Sequence, residues 1–192
     1  MIELRVRGSV ERVTDPIGRF LGRLGFTPTS LTLIGLALSL VGAALIATER
    51  LVLGGWIAAA GAILDGLDGA VARATGRAGP SGALVDTVAD RVGEIAIFSA
   101  LAYAVADTPL YVILCGLSLG GSLLVPFIRA KAEGFGVEGR GGWMGRSERV
   151  ILFTAGLVFG FVGPMLWAMT VLTWITVGQR FVLTWQRLHL ED

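Results

Sequence analysis

The chain has 192 residues, 54% of them hydrophobic and only 16% charged, with a formal net charge of +1. That balance, with a mean hydropathy of +0.73, excludes an ordinary soluble domain and predicts an all-α integral membrane protein, with the lipid bilayer as its first partner. No global field and no aromatic–basic stripe argue for nucleic acid, and the single Cys115 excludes an intrachain disulfide or a cysteine-only zinc site.

In chain order, residues 9–25 come first. Val10, Val13, Ile17, Phe20, Leu21 and Leu24 recur at spacings of three and four, with Arg12, Arg19 and Arg23 between them. This predicts a short amphipathic helix lying at the membrane surface. The arginines and acids ahead of any apolar stretch do not read as a cleaved signal peptide. Pro28 with the hydroxyl pair Thr29–Ser30 is a cap signal for a first span at about 30–48, ended by the polar break Glu49–Arg50.

A second span covers about 51–74, a Gly/Pro-rich loop 75–81, and a third span about 82–106. Asp107-Thr108-Pro109 then turn the chain into a fourth span at about 109–131. The longest polar stretch, 131–149, precedes a fifth span at about 149–163, and Gly163–Pro164 leads to a sixth at about 164–186. The expected whole is one domain over 1–192, a juxtamembrane segment (1–28) followed by a six-helix bundle (29–187). Cys115 is expected to pack in an apolar helix and His189 to sit in the polar tail. Gly116/Gly120 and Gly156/Gly160 have the small-xxx-small spacing that lets helices approach closely in lipid.

Arginine and lysine mark alternate helix ends: Arg5, Arg7, Arg12, Arg19 and Arg23, then Arg73 and Arg77, then Arg129, Lys131, Arg140, Arg146 and Arg149, and finally Arg187. Opposite ends offer only Arg50. The positive-inside rule therefore puts both termini and the 75–81 and 131–149 loops in the cytoplasm, as in a multi-pass protein of the plasma membrane.

Chemistry concentrates in one string, Asp65-x2-Asp68-Gly69-x2-Ala72-Arg73-x8-Gly82-x3-Asp86-x3-Asp90. Ionised carboxylates at membrane depth are destabilising unless something compensates them. On each helix these acids share a face, since positions three and four apart are neighbours. The short loop makes the two helices antiparallel, so both faces meet at similar depth near the cytoplasmic side. Converging carboxylates without histidine or thiol select Mg²⁺ or Mn²⁺. Gly69, Ala72 and Gly82 leave space beside the acids, and Arg73 supplies a phosphate clamp. Acids, metal and arginine together suit a pyrophosphate and phosphoryl transfer. Two other readings of the acids are buried ion pairs with Arg73, Arg77 and Arg91, and a non-enzymatic cation-binding or transport protein.

The string resembles the signature of the CDP-alcohol phosphatidyltransferase family, in type, order and spacing. The resemblance implies a six-helix membrane fold with an N-terminal juxtamembrane helix, assembled as a homodimer. It implies a phospholipid-synthesising transferase that moves a phosphatidyl group from CDP-diacylglycerol to the hydroxyl of a polar acceptor, releasing CMP. By the same resemblance Asp65, Asp68 and Asp86 are metal ligands for two divalent ions, and Asp90 is both ligand and general base. Gly69 and Arg73 contact the CDP moiety, as do Pro28, Thr29, Ser30 and Leu31.

The acceptor is addressed by the downstream basic residues. An arginine inside an apolar helix, as Arg180 is, should face the interior and meet an anion, and Arg149 begins the fifth span at the same level. Arg129-Ala130-Lys131-Ala132-Glu133, Arg146-Ser147-Glu148-Arg149 and Gln179-Arg180 are similar to stretches of the phosphatidylinositol-phosphate synthases within that family. That likeness implies that Arg129, Arg149 and Arg180 bind the phosphate of inositol 1-phosphate. A phosphatidylglycerophosphate synthase using glycerol 3-phosphate, or an archaeal ether-lipid equivalent, would carry the same donor site.

Overall fold

The computed structural model describes residues 14–139 and 141–189, in which every regular element is a helix. Helical backbone over 14–23 (α1) is followed by α2 (Pro28–Ala47), α3 (Leu51–Asp65), α4 (Asp68–Thr75), α5 (Pro80–Ala104), α6 (Pro109–Gly134), α7 (Arg146–Val158) and α8 (Val162–His189). Arg5, Arg7, Val10, Arg12, Val13 and Arg140, which entered the surface-helix and topology expectations, lie outside the described residues.

The first span starts one turn-forming residue earlier than its hydroxyl pair suggests. Thr27, extended at φ −99° and ψ 156°, is the N-cap. Its hydroxyl accepts the Ser30 N–H at 3.1 Å, while the Ser30 hydroxyl accepts the Thr27 N–H at 2.9 Å. Pro28 has no N–H to satisfy and a preset φ, so it fits the first helical position and pushes the cap back to Thr27. The Glu49–Arg50 break holds, with Glu49 at φ 63°.

The second span departs from expectation, because Gly66 and Leu67 interrupt it between α3 and α4. The Leu67 N–H bonds to Leu64, three residues back rather than four, which tightens the chain there. α4 ends at Gly76, φ +66°, the left-handed conformation open to glycine. Gly79 and Pro80 then start α5.

Among the described residues, four stretches are long and apolar enough to cross a membrane: Pro28–Ala47, Leu51–Thr75, Pro109–Gly134 and Val162–His189. α5 has 25 residues, about 37 Å at 1.5 Å per residue, but it carries Asp86, Asp90, Arg91 and Glu94. α7 has 13 residues, about 20 Å, against a hydrocarbon core of about 30 Å. Only 28–33% of each apolar window is buried within the chain. Exposed Leu33, Leu40, Trp56, Val92, Ile113 and Val171 are what a lipid-facing surface requires.

α2 packs against α3 and α5, α6 against α5 and α8, and α7 against α3 and α8. Phe98, Leu101, Leu114, Cys115, Phe153, Leu157 and Met169 form the apolar core, with Cys115 buried there as a packing residue. His189 ends α8 with its ring 4.3 Å from that of Trp185.

Gly156 makes a close approach to α8 as expected, but the backbone-to-backbone seam lies elsewhere. A Cβ at Gly35 would lie 2.8 Å from the Gly61 carbonyl oxygen, one at Gly61 2.6 Å from that of Gly35, and one at Gly54 2.7 Å from that of Gly42. These pairs, seven residues apart on each helix, are the antiparallel seam between α2 and α3. Gly116 and Gly120 have nothing within 4 Å, whereas Gly156 packs on Met165 and Gly160 turns the chain at φ +73°. Periodicity identifies a small-residue face but not the helix it meets. Gly61→Ala should therefore separate α2 from α3 and destabilise the protein by roughly 1–3 kcal/mol, read as a lowered Tm in detergent. Gly116→Ala should leave Tm near the wild-type value.

Candidate active site

Three carboxylates meet where α3, α4 and α5 converge. Asp65 closes α3, Asp68 opens α4 and Asp86 lies in the second turn of α5. Each offers an oxygen within 4.8 Å of the others. The Gly66–Leu67 turn brings the first two together, and the short 76–79 loop returns the chain with the third. Asp65 is buried, while Asp68 and Asp86 are half-buried. As the first residue of α4, Asp68 also sits at the positive end of that helix. The Thr32 hydroxyl donates to Asp68 Oδ2 at 2.8 Å, and the same hydroxyl approaches the Pro28 carbonyl at 3.2 Å.

Asp90 lies one turn further along α5 and is tied to the group by Arg146. The Arg146 Nη2 stands 2.6 Å from Asp65 Oδ2 and 2.5 Å from Asp90 Oδ1. The first contact is aligned as a hydrogen bond; the second is an ion contact, and Asp90 Oδ1 remains a buried oxygen with no hydrogen-bond donor. Arg91 flanks Asp90 Oδ2 at 3.5 Å and donates to Glu94 Oε2 at 2.6 Å, while Arg149 donates to Glu94 Oε1 at 3.2 Å.

These residues fit a divalent cation. The converging donors are carboxylate oxygens alone, the ligand type of a hard ion. Asp65, Asp68, Asp86, Asp90 and Glu94 face Arg91, Arg146 and Arg149, leaving two more carboxylates than guanidiniums.

A cavity of about 90 Å³ adjoins the acids. Asp65, Asp90, Glu94, Arg146 and Arg149 form its charged side, and Phe98 and Phe153 part of its apolar side. Charged groups beside an apolar wall interact more strongly than they would in bulk water.

Gly69 and Arg73 share a face of α4; Arg73 Nη1 would be 3.7 Å from a Cβ at Gly69, and its Nη2 pairs with Asp15 of α1 at 3.0 Å, half-exposed. Pro28 to Leu31 form the first turn of α2, with Thr29 exposed and Leu31 buried. Arg149 lines the cavity, 5% exposed. Arg129 pairs with Glu133 at 2.8 Å. Arg180 donates to the carbonyls of Gly141 and Val125 at 2.9 and 3.0 Å. These two thus border the 135–145 loop and do not line the cavity with Arg149. The ion-pair reading of the acids holds only for Arg91; Arg73 pairs elsewhere and Arg77 is exposed. Sequence reasoning missed Thr32, Glu94 and the placement of Arg146. Glu94, one turn beyond Asp90 on the same helix face, was the one with a local signal.

The sequence model of CDP-alcohol phosphatidyltransferases matches residues 26–185. A phosphatidylinositol phosphate synthase of Mycobacteroides abscessus is 34% identical, over 98% of this chain and 88% of the relative. An archaetidylinositol phosphate synthase of Pyrococcus horikoshii is 33% identical, over 97% of this chain and 98% of the relative. Among solved structures, the phosphatidylinositol phosphate synthase of Mycobacterium tuberculosis with CDP-DAG bound superposes with a TM-score of 0.82 at 32% identity, covering 91% of this chain and 94% of that one. The same enzyme in complex with manganese and citrate gives 0.80 at 33% identity, covering 90% and 88%. The chain belongs to the CDP-alcohol phosphatidyltransferase family.

Proposed function

We propose that this protein transfers a phosphatidyl group from CDP-diacylglycerol to a hydroxyl of inositol 1-phosphate, giving a phosphatidylinositol phosphate and CMP. The observation that carries this reading is that Asp65, Asp68, Asp86 and Asp90 gather beside one cavity that Arg149 also lines. The relatives support the acceptor more firmly than the lipid: the mycobacterial and archaeal names share inositol phosphate and differ in the tail.

In this reading Asp65, Asp68, Asp86 and Asp90 hold two Mg²⁺ or Mn²⁺ ions. Divalent ions bound there supply charge neutralisation for a diphosphate and stabilise a nearby alkoxide. Gly69 admits the nucleotide close to the α4 backbone, Arg73 clamps its phosphate, and Pro28, Thr29, Ser30 and Leu31 line the approach. Arg149 binds the acceptor's phosphate from the cavity wall, and Arg129 and Arg180, outside the cavity lining, add positive charge on its approach. An Asp90 carboxylate oxygen takes the proton of the acceptor hydroxyl, whose oxygen attacks the phosphorus bearing the lipid; the bond to CMP breaks, and CMP leaves with its electron pair. The apolar wall excludes water, which would otherwise compete as nucleophile.

The same reading gives six spanning helices. α5 is long enough and fails as an apolar span only through the charges of the site, and α7, separated from α8 by the turn at Gly160, counts as the fifth span. α1, with Ile17 and Phe20 exposed beside Arg19 and Arg23, and Leu24 exposed just after it, lies at the membrane surface. The family and the arginine distribution support one domain over 1–192, a homodimer, the plasma membrane and a cytoplasmic site.

Purified protein given CDP-diacylglycerol and Mg²⁺ should release CMP with inositol 1-phosphate and much less with free inositol, glycerol 3-phosphate or serine. Turnover with glycerol 3-phosphate alone would reverse the acceptor assignment, and cation flux in liposomes without CDP-lipid would favour a transporter. Asp90→Asn should lower kcat by about 10²–10⁴-fold while CDP binding, read by equilibrium displacement, stays largely intact. Wild-type turnover in that variant would remove Asp90 as the base.

A further inference from the structure

We propose that Glu94 is a positioning residue for the acceptor, acting through Arg149. Its two carboxylate oxygens are divided between two guanidiniums: Oε2 accepts from Arg91 at 2.6 Å and Oε1 from Arg149 at 3.2 Å. Glu94 and Arg149 line the cavity that also contains Asp90. Arg91 approaches Asp90 Oδ2 at 3.5 Å and the Ser122 carbonyl at 3.4 Å. One carboxylate therefore couples an arginine that flanks the proposed base to the arginine proposed for the acceptor's phosphate. The inference rests on that reading of the site.

The geometry goes further than charge balance. A guanidinium is a rigid fork of five donors. Arg149 bonds Glu94 through Nη2 and approaches the Met144 carbonyl through Nη1 at 3.5 Å. Fixed on these two sides, the ring of donors keeps one orientation and retains N–H groups for an anion in the cavity. Arg149 comes from α7, and Glu94 from α5, one turn from Asp90. The Glu94 contact is thus what sets the distance between the phosphate-holding group and the proton-accepting group. A phosphorylated polyol that spans the two would have its hydroxyl delivered to Asp90 by its own phosphate.

A residue that merely neutralises buried arginines would, when changed, lower stability and affect both substrates alike. A positioning residue splits the kinetic constants. Glu94→Gln should raise KM for inositol 1-phosphate by about 10–100-fold, leave KM for CDP-diacylglycerol within about twofold, and lower kcat far less than Asp90→Asn does. Glu94→Asp, which keeps the charge, should recover much of the acceptor KM and serves where the Gln variant fails to fold. In an Arg149→Gln background, Glu94→Gln should add little, because the two act as a unit. Unchanged acceptor KM, equal rises in both KM values, or additive losses in the double variant would overturn the proposal. Wild-type enzyme that prefers unphosphorylated inositol would overturn the acceptor reading, and this inference with it; a wild type that uses inositol 1-phosphate beside an indifferent Glu94→Gln would overturn this inference alone.

Discussion

Mutual repulsion among carboxylates in a water-poor setting is the constraint around which the rest of this structure is arranged. Asp65, Asp68 and Asp86 sit within 4.8 Å of one another, with Asp90 a turn away, at the ends and faces of helices whose other surfaces are apolar. Such charges interact several-fold more strongly than in bulk water, and burying them uncompensated is destabilising. The chain compensates in part. Arg146 bridges Asp65 and Asp90, Thr32 bonds Asp68, and Arg91 and Arg149 converge on Glu94. What remains is a negative site suited to hard cations and, through them, to a diphosphate.

Packing exists to hold that arrangement in register. The Gly35/Gly61 and Gly42/Gly54 contacts let α2 and α3 approach to backbone distance, which fixes Asp65 beside α2. At the far side of the site, a Cβ at Gly18 of α1 would lie 2.6 Å from the Ala70 carbonyl carbon, and one at Gly22 would lie 2.8 Å from Thr75 Cγ2. Asp15, on the same face of α1, pairs with Arg73. α1 is therefore docked on α4, the helix that carries Asp68, Gly69 and Arg73. An exposed ion pair of this kind contributes little by itself; the glycine contacts carry the docking.

Much of this was legible in the sequence for physical reasons. Apolar runs report spans because lipid contact demands them, and a three- or four-residue spacing reports one helix face, so the aspartates and their convergence could be read from the chain. Features that depend on how distant helices rotate against each other were not legible. Arg146 lies 81 residues from Asp65, and no periodicity links them. The glycine seam uses Gly35, Gly42, Gly54 and Gly61 rather than Gly116 and Gly120, since spacing marks small faces without naming their partners. The Gly66–Leu67 break within a continuous apolar pattern, and the cap at Thr27 ahead of the Thr29–Ser30 pair, are decided by local backbone geometry that composition reflects only weakly. Arg129 and Arg180 were grouped with Arg149 by sequence likeness, and the fold sets them apart around the 135–145 loop.

The most direct test of the account is where a divalent ion binds. Crystals grown with Mn²⁺ and a CDP-alcohol, measured for anomalous scattering, should place manganese among the carboxylates of Asp65, Asp68 and Asp86, in contact with the nucleotide's phosphates. A manganese peak away from these aspartates, or nucleotide bound with only arginine at the acids, would contradict it.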